Sequence, residues 1–139
     1  MKIILQDNRR FILRFDKGEE VLEGLKKFMA EQAVSACAFF GIGACSVIEL
    51  GYFNIHLKNY RRKPFTEELE ILSFSGNGGL NDGQPEIHCH GVFGMTDFST
   101  IGGHVFKLTV SVTCEIFLLV LDGALERKTD FDSNLNLLV

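Results

Sequence analysis

The chain has 139 residues, of which 46% are hydrophobic and 23% are charged. This length is close to the commonest size of a single domain, and the composition excludes a disordered chain. The net charge of −4 gives an average field that repels phosphate backbones, so nucleic-acid binding would need a local basic patch. We therefore expect residues 1–139 to form one domain around one hydrophobic core.

The apolar runs and the cysteines bear on the location of the protein. Residues 1–7 contain too short an apolar stretch for a signal peptide, and no run approaches the roughly 18 apolar residues of a membrane span. The four cysteines, at positions 37, 45, 89 and 114, form no CxxC pair, so neither a zinc knuckle nor a redox motif is indicated. We predict a cytoplasmic protein, without membrane association, whose thiols are reduced and mostly buried.

One strand and one helix are predicted at the start of the chain. Residues 10–15 are rich in strand-forming side chains, and residues 16–18 are typical of a turn. Asp16 followed by Glu19 resembles a capping box, so we place the helix entry there. Between Glu19 and Ala33 the apolar residues recur on one face at helical spacing: Val21, Leu22, Leu25, Phe28, Met29 and Ala33. This pattern predicts an amphipathic helix that packs on a sheet.

Strand-like segments follow the helix. They cover residues 35–41, 45–53, 69–75, 86–96 and 108–121, with turn-rich stretches at 76–79 and 81–85 and an apolar tail at 135–139 that could form a last short strand. An early helix followed by many strands predicts an α+β fold with a largely antiparallel sheet.

Histidines form the most informative pattern in the sequence. If residues 86–91 are a strand, Glu86, His88 and His90 share one face, and the two imidazoles stand roughly 6 to 7 Å apart along it. His104, after the glycines at 102 and 103, could add a third imidazole from a neighbouring strand. Three neutral imidazoles suit Zn²⁺ or another borderline divalent metal and leave one position open for water or an anion. The alternative is a set of surface histidines on a polar strand face.

Two carboxylates could serve such a site. Glu86 is either a partner that orients an imidazole or a solvated carboxylate. Glu115 lies in an apolar run, so it either faces the same site as a proton carrier or points outward at an edge. His56, flanked by Ile55 and Leu57, is expected to be structural or exposed.

Other motifs carry weaker signals. The glycines at 41–43 and 76–79 are not followed by Lys-Ser/Thr or by a helix signal, so they indicate tight turns and close backbone contacts rather than a nucleotide cradle. The one concentrated basic patch makes Arg61, Arg62 and Lys63 candidate phosphate contacts, the alternative being a solvated loop. No Ser/His/Asp or Cys/His arrangement has a local signature, and the catalytic residues, if any, stay unknown.

Motifs that resemble a known family follow one another along nearly the whole chain. They are Arg14-Phe15 before the helix, Phe40-Gly41-Ile42-Gly43-Ala44, the segment Glu70 to Gly76, His88-Cys89-His90, Gly102-Gly103-His104, and the segment Thr113 to Phe117. In this order they resemble the PPC (plant and prokaryote conserved) domain in its prokaryotic stand-alone form. The resemblance implies a compact α+β domain that forms homotrimers, with metal ligation by His88, His90 and His104.

The resemblance also raises DNA as a candidate partner. In plants this domain is joined to AT-hook segments that enter the minor groove, and prokaryotic relatives are often described as DNA-binding. This sequence has no Arg-Gly-Arg-Pro core and no basic tail, so the part that contacts DNA directly is missing. The resemblance therefore favours an assembly module over a DNA reader.

Two functions follow as hypotheses. The first is an oligomeric, regulatory module, associated with DNA, whose histidines bind a divalent metal such as zinc. The second is a metal-dependent enzyme in which three histidines hold a metal-bound water against a small molecule, with Glu115 or Glu86 as the proton carrier. The first is favoured because no complete acid/base set can be named from the sequence.

Overall fold

Long antiparallel strands dominate the structure, a computed structural model that describes residues 1–139. The strands are β1 (Lys2–Asp7), β2 (Arg10–Asp16), β3 (Cys37–Asn54), β4 (Asn59–Asn81), β5 (Gln84–Gly94), β6 (Thr100–Val120), β7 (Glu126–Asp130) and β8 (Leu135–Leu138), and the single helix is α1 (Val21–Glu31). The helix lacks the length and the apolar character needed to cross a membrane.

All eight strands belong to one sheet. Its order is β1-β2-β6-β3-β4-β7-β8, and β5 pairs with both β4 and β6. Strands β3, β4, β5 and β6 therefore form a closed ring of antiparallel pairs, while β7 joins the outside of β4 in parallel. A mostly antiparallel sheet with one helix fits the predicted α+β class broadly.

The helix packs its apolar face on the sheet as the sequence predicts. Val21, Leu22, Leu25, Phe28 and Met29 are all buried. Ala33, the sixth residue of the predicted face, lies beyond the helix end at Glu31 and is exposed. The predicted entry was wrong, however, because the N-cap is Glu20, whose carboxylate accepts from the Glu23 N–H at 2.7 Å. The Glu19 carboxylate does accept from the Asp16 N–H at 2.7 Å, but this bond closes the turn that precedes the helix.

Several predicted turns lie inside strands instead. The predicted segments 35–41 and 45–53 are continuous in β3, which begins at Cys37, so no turn separates them. Residues 60–63 and 76–79 both belong to β4. Gly76 serves close packing: a Cβ there would lie 2.8 Å from the Cys89 Cα and closer still to the His88 carbonyl oxygen. A real two-residue turn follows at Asp82-Gly83, where both residues have positive φ, as hairpins of this kind require.

Two short strands were not predicted. β1 is exposed along its whole length and β7 is rich in charged residues, so neither shows the alternation that marks a half-buried strand. The predicted last strand at 135–139 is confirmed by β8.

A single core of 26 buried residues lies between the helix and the sheet. Its largest fully buried side chains include Phe15, Phe28, Phe74 and Phe93. All four cysteines are free and buried, as predicted, and burial raises the pKa of Cys45, Cys89 and Cys114 to about 12. These thiols stay protonated at neutral pH and act as small apolar side chains.

The outer face of the sheet carries exposed apolar side chains. They are Phe40, Ile42, Leu72, Val112, Phe117 and Leu119, here called the outer apolar face. Phe40 of β3 stacks on its cross-strand partner Phe117 of β6, with ring centroids 5.1 Å apart. Large exposed apolar patches of this kind are typical of association surfaces.

Candidate metal centre

Three histidines converge where β5 pairs with β6. His90 and His104 are direct cross-strand partners, and His88 lies one residue pair away on the same face of β5. The ring centroids lie 5.4 Å apart for His88 and His90, 5.1 Å for His88 and His104, and 5.3 Å for His90 and His104. One nitrogen from each ring lies within 4.8 Å of the other two, so small side-chain rotations would let the three share one ion.

The surroundings of His104 fit a metal ligand. Its ring lies against Phe106 and Tyr60, at centroid distances of 4.4 Å and 5.0 Å. Its Nδ1 is buried and has no hydrogen-bond partner, which is costly for a polar atom unless something else satisfies it. No carboxylate lies within ion-pair distance of any of the three imidazoles, so no acidic partner favours their charged form.

The protonation state of the cluster suits metal binding. Burial, together with the nearby imidazoles of His88 and His90, lowers the pKa of His104 to about 4. Burial likewise lowers the pKa of His88. Both imidazoles are therefore neutral at pH 7, the form that donates a lone pair to a metal ion.

A cavity of about 450 Å³ opens beside the cluster. His88 and His104 line it, while His90 is exposed and does not line it. Its walls come from α1, the first residues of β4, and the hairpin formed by β7 and β8, here called the C-terminal hairpin. The volume lies in the range of small-molecule sites.

The two predicted carboxylates lie in different places. Glu86 lines the cavity, and its carboxylate oxygens accept from the Asn136 Nδ2 at 3.3 and 3.4 Å. Glu115 is exposed near the other end of β6, paired with Ile42 of β3. The structure thus brings Glu86 to the cavity and leaves Glu115 away from the histidines.

The basic patch is split by strand alternation. Arg62 points toward the cavity, and its Cζ lies 3.6 Å from the centre of the Phe106 ring. Arg61 and Lys63 point to a separate groove beside Tyr52. The segment is not a loop, because it belongs to β4 and pairs with β3. Its three basic residues are nevertheless exposed, as the solvated alternative predicts. A contact of all three side chains with one phosphate is therefore not favoured.

His56 lies outside the cluster. It is exposed in the turn between β3 and β4, where its backbone N–H donates to the Asn54 Oδ1 at 3.0 Å. This placement agrees with the prediction that His56 is structural or exposed.

Sequence reasoning missed one residue of the cavity, Arg127 of β7. Its side chain is buried, and its guanidinium donates to the Asn136 carbonyl oxygen at 3.0 Å and to the Asn77 Oδ1. A lone arginine in the polar segment Glu126-Arg127-Lys128 carries no pattern that separates it from a surface residue. Only the pairing of β7 with β4 shows that the Arg127 side chain faces the cavity.

Solved structures similar to this chain cover nearly its whole length. A metal-containing protein from Archaeoglobus fulgidus is 35% identical, with a TM-score of 0.89, and the alignment covers 100% of this chain and 99% of that one. A PPC protein from Pyrococcus horikoshii is 30% identical, with a TM-score of 0.86 and coverage of 93% and 90%. A proposed DNA-binding protein from Bacteroides thetaiotaomicron is 25% identical, with a TM-score of 0.93 and coverage of 97% and 94%.

The family assignment comes from the sequence itself. No curated protein matches the chain. The family model of the Plants and Prokaryotes Conserved (PCC) domain matches residues 4–122, which contain all the motifs that carry the resemblance and all three clustered histidines. The chain therefore belongs to the Plants and Prokaryotes Conserved domain family.

Proposed function

We propose that this protein binds one divalent metal ion through His88, His90 and His104. The observation that carries the proposal is the buried Nδ1 of His104, which has no protein partner and lies among two further imidazoles. Three neutral imidazole nitrogens form the donor set of many zinc sites that keep a fourth position for water or an anion. Zinc is therefore the ion that we expect. The metal content of the Archaeoglobus fulgidus relative supports the proposal.

The cavity suggests what the metal serves. His88 and His104 belong both to the cluster and to the cavity wall, so a bound ion would face a space of small-molecule size. A zinc ion in such a position supplies an activated water or polarises an oxygen of a ligand. Glu86 is the carboxylate that lines this space, and we propose it, rather than Glu115, as the proton carrier if the protein is an enzyme.

We also propose that copies of the chain associate through the outer apolar face, as homotrimers. The exposed Phe40 and Phe117 stack on each other and lie in a groove lined mainly by apolar side chains. Burying this surface against another copy would remove its apolar area from water at a gain of roughly 25 cal/mol per Å². The homotrimers implied by the family resemblance agree with this surface.

A role with DNA is the second candidate function. The name of the Bacteroides thetaiotaomicron relative favours it, and the groove beside Arg61 and Lys63 is the surface that could contact phosphate. Against it stands the net charge of −4. Retention on DNA that falls steeply with salt would support this role, and absence of retention at low salt would remove it.

Metal content per chain tests the main proposal. Protein purified without chelators is compared with a variant in which His88, His90 and His104 are all changed to Ala, and with His56→Ala as the matched control. We expect a divalent metal near one per chain in the wild type and in the control, and none in the triple variant. A wild-type protein that is free of metal and cannot be loaded would rule out the site. Circular dichroism of the triple variant shows whether it remains folded.

A further inference from the structure

The C-terminal hairpin places a buried cation in the wall of the cavity. Arg127 is 4% exposed and lines the cavity together with His88 and His104. A guanidinium has five N–H donors. Two of the donors of Arg127 are used, one by the Asn136 carbonyl oxygen and one by the Asn77 Oδ1. Its Nε is buried without any partner. The residue is thus held in place by neutral acceptors only.

The positive charge of Arg127 has no counterpart in the protein. No carboxylate oxygen lies within ion-pair distance of its guanidinium. Glu86, the only acidic residue of the cavity wall, is engaged by the Asn136 amide instead. A buried charge is costly unless it is paired. We therefore expect an anion from outside the chain to pair with the Arg127 guanidinium.

The other charged side chains of the cavity wall are mostly positive as well. Besides Arg127, the cations Lys26, Lys58 and Arg62 line it. Lys26 is paired with Glu23 and Arg62 with Glu49. Lys58 and Arg127 therefore carry the positive charge of the wall that no carboxylate pairs with. Such clefts concentrate anions from solution.

Part of the remaining wall is apolar and lies beside the amides of Asn59, Asn134 and Asn136. This apolar part restricts the kind of anion. Leu22, Phe53, Leu135 and Leu137 contribute aliphatic and aromatic surface, which suits a short carbon chain. The unused N–H groups of Arg127 can donate to the two oxygens of one carboxylate in the forked geometry that arginine favours. Inorganic phosphate has no carbon chain to place against these apolar side chains, so the wall favours an organic carboxylate.

We propose that the cavity binds a small organic carboxylate whose carboxylate group pairs with Arg127 and whose other end faces His88 and His104. The contact with Arg127 is independent of any metal, whereas the role of the far end rests on the proposed metal site. Arg127 lies beyond residues 4–122, the part that matches the family model. The C-terminal hairpin, which follows the matched residues, therefore supplies the arginine of the proposed anion site.

Calorimetric titration of the zinc-loaded protein tests the proposal. The probes are 2-hydroxybutyrate, its neutral amide 2-hydroxybutyramide, and inorganic phosphate. The variants are Arg127→Gln and, as the matched control, Lys128→Gln, which changes the exposed next residue of β7. We expect 2-hydroxybutyrate to bind the wild type and the control equally, and Arg127→Gln to bind it at least about tenfold more weakly. The amide and phosphate should bind more weakly than the carboxylate.

Three results would overturn the proposal: equal affinity of Arg127→Gln and the wild type, equal affinity for the acid and the amide, or no binding of the acid at all. Tighter binding of phosphate than of the acid would overturn the assignment to carboxylates. If Arg127→Gln does not fold, Arg127→Lys replaces it, because lysine keeps the charge and loses the fork; unchanged affinity in that variant then counts against the forked pairing.

A separate measurement distinguishes failure of this proposal from failure of the metal site. The triple variant of His88, His90 and His104 is titrated with the same acid, and the metal content of every variant is measured. Metal bound in the wild type, with no effect of Arg127→Gln on affinity, leaves the metal site standing and removes the anion site. Binding of the acid that depends on Arg127, in a wild type that takes up no metal, leaves the anion site standing and removes the metal proposal.

Discussion

His90 and His104 face each other as direct partners across the antiparallel pair of β5 and β6, with ring centroids 5.3 Å apart. Cross-strand partners have Cβ atoms about 4.5 to 5.5 Å apart, so the backbone register alone sets the spacing of these two rings. A shift of one residue in the register would send His104 to the opposite face of the sheet. The geometry of the cluster is therefore fixed by strand pairing.

Replacing His104 with Ala should abolish tight metal binding. Changes to groups that only orient a ligand already cost about 10- to 100-fold in affinity, so loss of a ligand should cost more. Competition with a chromophoric chelator measures the affinity. His56→Ala, in an exposed turn, should bind as the wild type does. Equal affinities of the wild type and His104→Ala would show that this imidazole is not a ligand.

The metal-free protein should lose stability on acidification between about pH 6.5 and pH 4. Burial holds the pKa of His104 at about 4 and lowers that of His88, whereas unfolded histidines take up protons near pH 6.5. In this window the unfolded state binds more protons, so the free energy of unfolding falls as the pH falls. Urea unfolding at several pH values measures it.

A variant separates the histidine contribution to this pH dependence from that of the carboxylates. His104→Gln cannot titrate, so the free energy of unfolding of the metal-free variant should fall less steeply than that of the wild type across the same window. Identical slopes for the two proteins would contradict the assignment to His104.

Changing Gly76 to Ala should destabilise the fold and disturb the cluster. The added Cβ would press on the Cys89 Cα and on the His88 carbonyl oxygen, both of which belong to the β5 backbone. Such overpacking costs about 1 to 3 kcal/mol, measured as the free energy of unfolding. The control is Gly94→Ala, whose Cβ would meet only the Leu72 side chain, at 3.3 Å or more. If Gly76→Ala is as stable as its control, β4 and β5 can move apart at this position without a loss of folding free energy.

A charge on the outer apolar face should prevent self-association. Phe40 is 61% exposed, and Phe40→Glu would bring carboxylates into any interface that this face forms, at a desolvation cost. Sedimentation or light scattering should show smaller particles for this variant than for the wild type. Phe131→Glu, at a phenylalanine that is 94% exposed in the turn between β7 and β8, should leave the particle size unchanged. A wild type that is monomeric at all concentrations would contradict the proposed interface.

The elements with a regular hydrophobic pattern were predictable. The helical spacing from Val21 to Met29 places all five apolar side chains in the core, and alternation from Glu86 to His90 places Ile87 and Cys89 inside, with the histidines on the opposite face. In both segments a buried face repeats with the period of the backbone, so local sequence is enough to assign the structure.

The glycine-rich segments were not predictable from the same rules. Gly76 and Gly103 look like turn residues, yet each lies in a long strand where a neighbouring backbone comes too close for a side chain. The reason is a contact between distant strands, and composition does not show which use of glycine applies. The basic residues 61–63 were misplaced for the same reason, since their strand is defined by its pairing with β3.

The candidate site was predictable only in part. The three histidines lie on two adjacent strands of one hairpin, so the motif spacing together with the family resemblance was enough to group them. Arg127 reaches the cavity from the C-terminal hairpin, through the parallel pairing of β7 with β4. The placement of Glu115 away from the cluster likewise depends on how far β6 extends beyond His104, which local pattern does not reveal.

The histidine cluster and the opposite wall of the cavity have separate origins in the chain. All three imidazoles come from β5 and β6, which are joined by one short connection, whereas Arg127 and Asn136 come from a hairpin appended after the closed ring of strands. Substitutions or length changes in residues 126–138 can therefore reshape what the cavity accepts while the imidazoles keep their register. The architecture places the histidine cluster and the opposite wall of the cavity on separate segments, so the lining of the cavity can be changed in one hairpin without moving the imidazoles.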